Sequence, residues 1–261
     1  MEERGFPLGI GLIKREFIES WLLALEDRGN TPSTLASRYR CLQQLFRWLE
    51  LEEEIASSPM AKMRPPAIPE AMTAVLTDEE QRRLLKACEG RTFMDRRDLA
   101  IVSMFLDSGL RLAELSDLKL SDVDLDSGAA LVMGKGSRPR VARFGSVVGR
   151  HLDRYLRSRS SHPGADSDWL WLRVDNGQRY RAAGIAKMVK NRGEAAGLVG
   201  LHPHVFRHTF AHRFRSNGGS EGDLMLLGGW RSRAMIDRYG KSAASDRAAE
   251  AHRAFSPLDN L

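Results

Sequence analysis

The chain is poor in cysteine. It holds two, Cys41 and Cys88, set far apart in apolar stretches of helical spacing. That count excludes a disulfide framework, and neither thiol has the neighbours of a zinc-ligand set. Both read as reduced, buried side chains of an intracellular protein. No apolar run approaches the roughly 20 residues that a bilayer-spanning helix needs. The N-terminal stretch lacks the apolar block of a signal peptide. Internal repeats and low-complexity tracts are missing as well. What is present is enough apolar material for a core, 42% of 261 residues, with 40 Lys and Arg against 34 Asp and Glu. A net charge of +6 favours a polyanionic partner, nucleic acid before a membrane surface.

Local patterns divide the chain. Ile13, Phe17, Trp21, Leu22 and Leu25 recur at helical spacing, and Arg28-Gly29-Asn30 stops that helix. Thr31-Pro32 starts another, with threonine as N-cap and proline in the first turn. Its core face is expected to carry Leu35, Leu42, Leu45, Phe46 and Leu49. Ser37, Arg40, Gln44 and Arg47 share the opposite stripe, a face suited to a DNA groove or simply to solvent. Residues 61–75 are proline-rich and aperiodic, as a linker is. Thr77 and Glu80 form a capping box that opens a second domain. An apolar helix over 95–108 ends at Gly109, and residues 121–146 alternate in short β-prone runs that predict a small antiparallel sheet with a hairpin. The expected domains are 1–62, helical; 63–76, a linker; and 77–261, α+β.

Four segments carry chemistry. In Gly109-Leu110-Arg111-Leu112-Ala113-Glu114-Leu115 an arginine sits at a turn with a carboxylate three residues on to orient it; by itself this is an ordinary surface ion pair. Met133-Gly134-Lys135-Gly136-Ser137 is not a phosphate-binding loop. Gly128 lies one residue too far upstream, and Gly136 stands where a Ser or Thr would hold magnesium. A turn lysine there, with Arg138 and Arg140 behind it, is free to reach into a groove of DNA or into solvent. In HPHVFRHTFAHRFRSNGG, Pro203 begins a helix whose free N–H groups, together with His204 and Arg207, make an anion site beside a proton carrier; His208 is expected to face the core. Leu227-Gly228-Gly229-Trp230 precedes Tyr239 by nine residues from the tryptophan, and Arg231, Arg233 and Arg238 flank the interval.

Taken in order, Arg…Lys…His-x-x-Arg…Trp…Tyr resembles the tyrosine recombinases of the phage integrase family. PHVFRHTFAHRFRSNGG, LGGWRSRAMIDRY and SGLRLAEL are similar to that family's boxes, and the likeness covers residues 77 to about 241. The resemblance implies a mainly α fold with a small antiparallel β-sheet, arranged as a two-domain C-shaped DNA clamp: an N-terminal helical core-binding domain and a C-terminal α+β catalytic domain. It implies a compact form without an arm-binding domain. It implies site-specific cutting and rejoining of DNA through a 3′-phosphotyrosyl link, with Tyr239 as nucleophile. Arg111 and Arg207 then clamp the phosphate, His204 acts as base, and Lys135 protonates the leaving 5′-hydroxyl. Trp230 stands where the family often has histidine; its indole donates to a phosphate oxygen but moves no proton. Glu114 holds Arg111. Arg40, Gln44, Arg47, Arg138, Arg140 and Arg231 are the candidate DNA contacts. No metal and no cofactor are needed, since two guanidiniums supply the charge. The partners implied are double-stranded recombination sites and three further copies of the chain, with a four-way junction as intermediate. The segment KSAASDRAAEAHRAF is a candidate for docking on a neighbour or on its own domain. The expected location is the cytoplasm, at the nucleoid. A type IB topoisomerase-like enzyme and a non-catalytic DNA-binding protein on the same scaffold are the alternatives.

Overall fold

The computed structural model describes residues 9–68, 74–134 and 138–230, with the isolated positions 232, 252 and 256. The chain divides into two compact units, Met1–Ala71 and Met72–Leu261.

The first unit holds helices α1 (Arg15–Asp27) and α2 (Pro32–Leu51). The Thr31 hydroxyl accepts the N–H of Thr34, and Pro32 sits in the first turn, so α2 starts where its cap dictates. Ile18, Tyr39, Phe46, Leu49 and Met60 form its core. Two details differ from the periodicity reading. Leu45 is 41% exposed, and Tyr39 is fully buried in its stead, its hydroxyl donating to the Met63 carbonyl at 2.8 Å. An aromatic with a polar tip suits a site where one backbone carbonyl needs a donor. Cys41, expected to be buried, is exposed; Cys88 is buried. Arg40, Gln44 and Arg47 all lie at the solvent face of α2.

The second unit runs α3 (Asp78–Cys88), α4 (Phe93–Ser108), α5 (Leu112–Ser116), β1 (Val123–Asp124), β2 (Ala129–Gly134), β3 (Arg138–Arg143), α6 (Ser146–Arg159), α7 (Ala182–Ala195), α8 (Pro203–Ser216) and α9 (Glu221–Gly228). Its caps follow the sequence. Thr77 and Glu80 make the capping box of α3, with the Thr77 N–H on Glu80 Oε2 at 2.8 Å. Thr92 and Asp95 do the same for α4. Gly109 ends α4 with φ +59°, a left-handed value that glycine adopts without penalty. The three strands form one antiparallel sheet in the order β1-β2-β3, with Gly134 paired to Arg138 and Ala130 to Ala142.

α4 is the axis of the core. Ala100, Ile101, Val102, Met104 and Phe105 are buried on it, and the Phe105 ring stacks on Phe206 of α8 at 5.3 Å. Met63 packs on the first core, whereas Leu76 is buried in the second, its N–H donating to Thr209 Oγ1 at 3.0 Å. Among the described residues no helix is long and apolar enough to cross a membrane.

Candidate active site

The C-terminus of α4, the N-terminus of α8 and the C-terminus of α9 meet at one place. Arg111 follows the Gly109 turn and caps α5. Glu114 reaches back to the Arg111 N–H through Oε2 at 2.8 Å and to its Nη1 through Oε1 at 2.7 Å. The arginine is thereby aimed by the residue three positions on, as its sequence spacing predicts. The Arg111 side chain keeps 35% of its surface in solvent, while the Glu114 side chain keeps 3%. Burial pushes the Glu114 carboxyl upward. The Arg111 N–H and the charges of Arg140 and Arg111 outweigh it and hold the group below the usual carboxylate range.

Arg207 is 2% exposed. One of its nitrogens, Nη1, donates to the Gly109 carbonyl at 2.7 Å, and Nη2 donates to the Gly228 carbonyl at 2.6 Å. Its guanidinium carbon lies 3.8 Å over the centre of the Trp230 ring. Trp230 is 4% exposed and packs with Phe210, Ala211 and Leu224. Arg111 Nη2 reaches the next carbonyl, Gly229, at 3.3 Å. Residues 98 positions apart are thus joined at the end of α4, and residues 118 positions apart at the end of α9.

Pro203 occupies the first turn of α8, so His204 sits beside N–H groups with no helical partner. His204 keeps much of its surface in solvent, yet one side of its ring packs edge-on against His208 at 4.4 Å. That desolvation, followed by the charges of Arg207, His202 and Arg111, lowers its pKa below the ordinary histidine value. His204 is therefore neutral near pH 7 and able to accept a proton. His208 is only partly buried rather than enclosed in the core; burial, His204, His202 and Arg207 lower it to about 4.

Arg140 and Arg138, read from the sequence as DNA contacts, part company. Arg138 is exposed at the hairpin end of β3. Arg140 turns inward: Nη2 pairs with Glu114 Oε2 at 2.8 Å and Nη1 with the Leu227 carbonyl at 2.5 Å, and 12% of the side chain remains exposed. Lys135, Arg231 and Tyr239 lie outside the described residues, as does the segment 241–255 apart from position 252. The carbonyls of Gly109, Gly228 and Gly229 are the partners that the sequence reading missed. The Gly228-Gly229 doublet was the available signal: Gly229 is left-handed at φ +64°, and a side chain on Gly228 would overlap the Trp230 ring. Among the described residues no group of three or more His, Cys, Asp or Glu could hold a metal ion. Two guanidiniums and a neutral imidazole have the chemistry to meet an anion with a proton acceptor beside it.

Residues 74–246 match the phage integrase family. The chain is 34% identical over 232 residues to the tyrosine recombinase XerC of Xanthomonas axonopodis pv. citri (strain 306), covering 87% of this chain and 74% of that one. It is 34% identical over 215 residues to the tyrosine recombinase XerC of Xanthomonas campestris pv. campestris (strain B100), covering 81% of this chain and 65% of the relative. The Tn1549 transposon integrase in complex with transposon right end DNA shares the fold. Its TM-score is 0.74 at 20% identity, over 96% of this chain and 87% of that one.

Proposed function

The chain belongs to the phage integrase family, the tyrosine recombinases, and from that premise we propose that it cuts and rejoins DNA at specific sites through a covalent 3′-phosphotyrosyl intermediate. The observation that carries the proposal is the convergence of Arg111 and Arg207 on adjacent carbonyls, Gly229 and Gly228, beside Trp230.

In this reading the Tyr239 oxygen attacks the scissile phosphorus and the bond to the 5′-oxygen breaks. His204, neutral at working pH, takes the phenolic proton. Lys135 gives a proton to the departing 5′-oxygen. The phosphorane carries extra negative charge only in the transition state, so donors fixed beforehand lower the barrier. Arg207 is held from two sides before DNA arrives, and Arg111 presents the more open edge. Rejoining is the same path reversed, with a 5′-hydroxyl of either strand as nucleophile. The phosphotyrosyl link keeps the diester's energy, so no nucleotide cofactor enters the balance.

The finer reading is integration, excision or resolution of a DNA segment by four copies on two sites, through a four-way junction, at the nucleoid in the cytoplasm. The segment after Tyr239 is our candidate for the contact between copies. Unchanged tetramers on DNA after deletion from residue 244 onward would end that part of the reading.

The direct test is a covalent trap. The protein is mixed with plasmid carrying the DNA that flanks its own gene, without metal or ATP, and quenched with detergent. A protein–DNA adduct that vanishes in Tyr239→Phe is the expected result. An adduct that persists in the variant sinks Tyr239 as nucleophile, and relaxation of plasmids lacking any such site would favour a topoisomerase.

A further inference from the structure

Three consecutive carbonyls end α9, and each receives a bond from a different arginine. Leu227 takes Arg140 Nη1 at 2.5 Å, Gly228 takes Arg207 Nη2 at 2.6 Å, and Gly229 takes Arg111 Nη2 at 3.3 Å. The last carbonyls of a helix lack intrahelical partners and carry the negative end of its dipole. Guanidiniums answer both needs at once. Two of the three belong to the proposed cleavage site. The third comes from β3.

Arg140 has a second anchor, and it is the more telling one. Its Nη2 binds Glu114 Oε2 at 2.8 Å, the same carboxylate oxygen that accepts the Arg111 N–H. The other oxygen of Glu114 holds the Arg111 guanidinium. Glu114 is almost wholly buried, so its charge depends on the two arginines around it. The Arg140 stem also crosses Gly229: a Cβ placed there would stand 2.9 Å from Arg140 Cδ and Nε. Arg140 therefore touches the residue that aims Arg111 and the helix end that takes the bonds of Arg111 and Arg207.

We propose that Arg140 is a positioning residue of the cleavage site, locking Glu114 and the α9 terminus to β3 so that Arg111 is held in its phosphate-binding pose. This rests on the recombinase reading of the same site. Arginine is needed because two acceptors on different elements must be met by one rigid fork; a lysine meets one at a time. A role as direct DNA contact is the competing assignment, and the two make opposite forecasts. A lost phosphate contact lowers the dependence of log Kd on log salt by about 0.9, whereas a lost internal brace leaves that slope alone.

The experiment compares wild type, Arg140→Met, Arg140→Lys, Glu114→Gln and the Arg140→Met/Glu114→Gln pair on the DNA fragment that yields the Tyr239 adduct. Adduct formation is followed in a single turnover, and Kd is titrated at several salt concentrations. The expected result for Arg140→Met is a rate loss of about 10- to 100-fold, the range for a misplaced catalytic group. Kd should stay within threefold, with an unchanged salt slope. Arg140→Lys should recover part of the rate. The double variant should be no slower than the slower single variant, because both act through one carboxylate. A rate within twofold of wild type for Arg140→Met overturns the proposal. So does a salt slope reduced by about one, or a double variant slowed by the product of the two singles. Should Arg140→Met be unfolded, Arg140→Lys decides: full wild-type rate overturns the proposal, and a partial rate with unchanged Kd supports it. A wild-type protein that forms no adduct at all brings down the recombinase reading itself, a different failure from a wild-type adduct that Arg140→Met leaves untouched.

Discussion

The Arg207 guanidinium lies 3.8 Å over the centre of the Trp230 ring while its two terminal nitrogens donate to the carbonyls of Gly109 and Gly228. The tryptophan forms an aromatic floor under this buried guanidinium.

Removing that floor should be costly. Trp230→Ala opens the cluster of Phe210, Ala211 and Leu224 as well as the ring face under Arg207. The expected loss is about 3–5 kcal/mol in urea unfolding, with a slower adduct in the covalent trap. Trp230→Phe keeps a ring and should retain most of both. A loss below about 1 kcal/mol for the alanine variant would show that the ring supports little.

Gly109 is held to glycine twice over. Its φ of +59° is left-handed, and a Cβ there would overlap the Phe210 ring. Gly109→Ala is expected to cost roughly 2–5 kcal/mol, the sum of the left-handed penalty and overpacking. Since the same residue offers its carbonyl to Arg207, cleavage should slow as well. Equal melting temperatures for variant and wild type would contradict the strain argument.

His204 and His208 predict a pH dependence of stability. Both have folded pKa values lowered from the ordinary 6.5, His208 to about 4. The unfolded chain therefore binds more protons than the native one between pH 6.5 and about 4. Stability rises with pH wherever that holds. The contribution is intact above pH 6.5, falls away as the pH drops, and levels off below about 4. Urea midpoints from pH 8 to pH 4 should decline for wild type and decline less for His208→Gln. Parallel curves would show that His208 is not the group responsible. Cleavage should lose rate on the acid side, where the His204 base becomes protonated.

The two thiols should differ in reactivity. Burial pushes Cys88 up to about 12, and the nearby Arg192 does not offset it. Cys41 is exposed. A thiol-modifying reagent at pH 8 should label Cys41 alone in the native protein and both residues after denaturation, because the thiolate is the reactive form. Rapid native labelling of Cys88 would mean that the second unit opens far more readily than its core packing implies.

The exposed arginines offer a test of the DNA face. Arg40, Arg47 and Arg138 lie open to solvent. Replacing any one that contacts phosphate should weaken DNA binding and lower the salt slope by about 0.9. Gln44 carries no charge; if it reads a base, Gln44→Ala should weaken binding on the cognate site more than on other DNA, at an unchanged slope. A variant with wild-type affinity on all DNA removes that residue from the interface.

Much of this molecule is written locally. Thr31 and Thr77 mark helix starts because each caps an N–H group of its own first turn, Pro203 because its ring removes an N–H that would go unpaired there and presets a helical φ, and Gly109 marks a stop because its own φ is left-handed. The strands of 123–143 follow from alternation over a few residues. Glu114 aims Arg111 from three positions away, a distance that helix geometry fixes. Even the order of the boxes is a property of the sequence alone.

What the sequence left open are choices settled by residues far along the chain. Tyr39 took the buried place in α2 and Leu45 did not, because the Met63 carbonyl, 24 residues on, supplied a partner for the hydroxyl. Arg138 and Arg140 are the same residue type on one face of a strand, with the buried Ala142 next in that row. Nothing local tells them apart. Arg140 turns inward because Glu114, 26 residues before it, and the Leu227 carbonyl, 87 residues after it, form an anionic recess over that end of β3. Charge can be counted along a chain, but the direction in which a charged side chain points depends on the neighbours that folding brings to it.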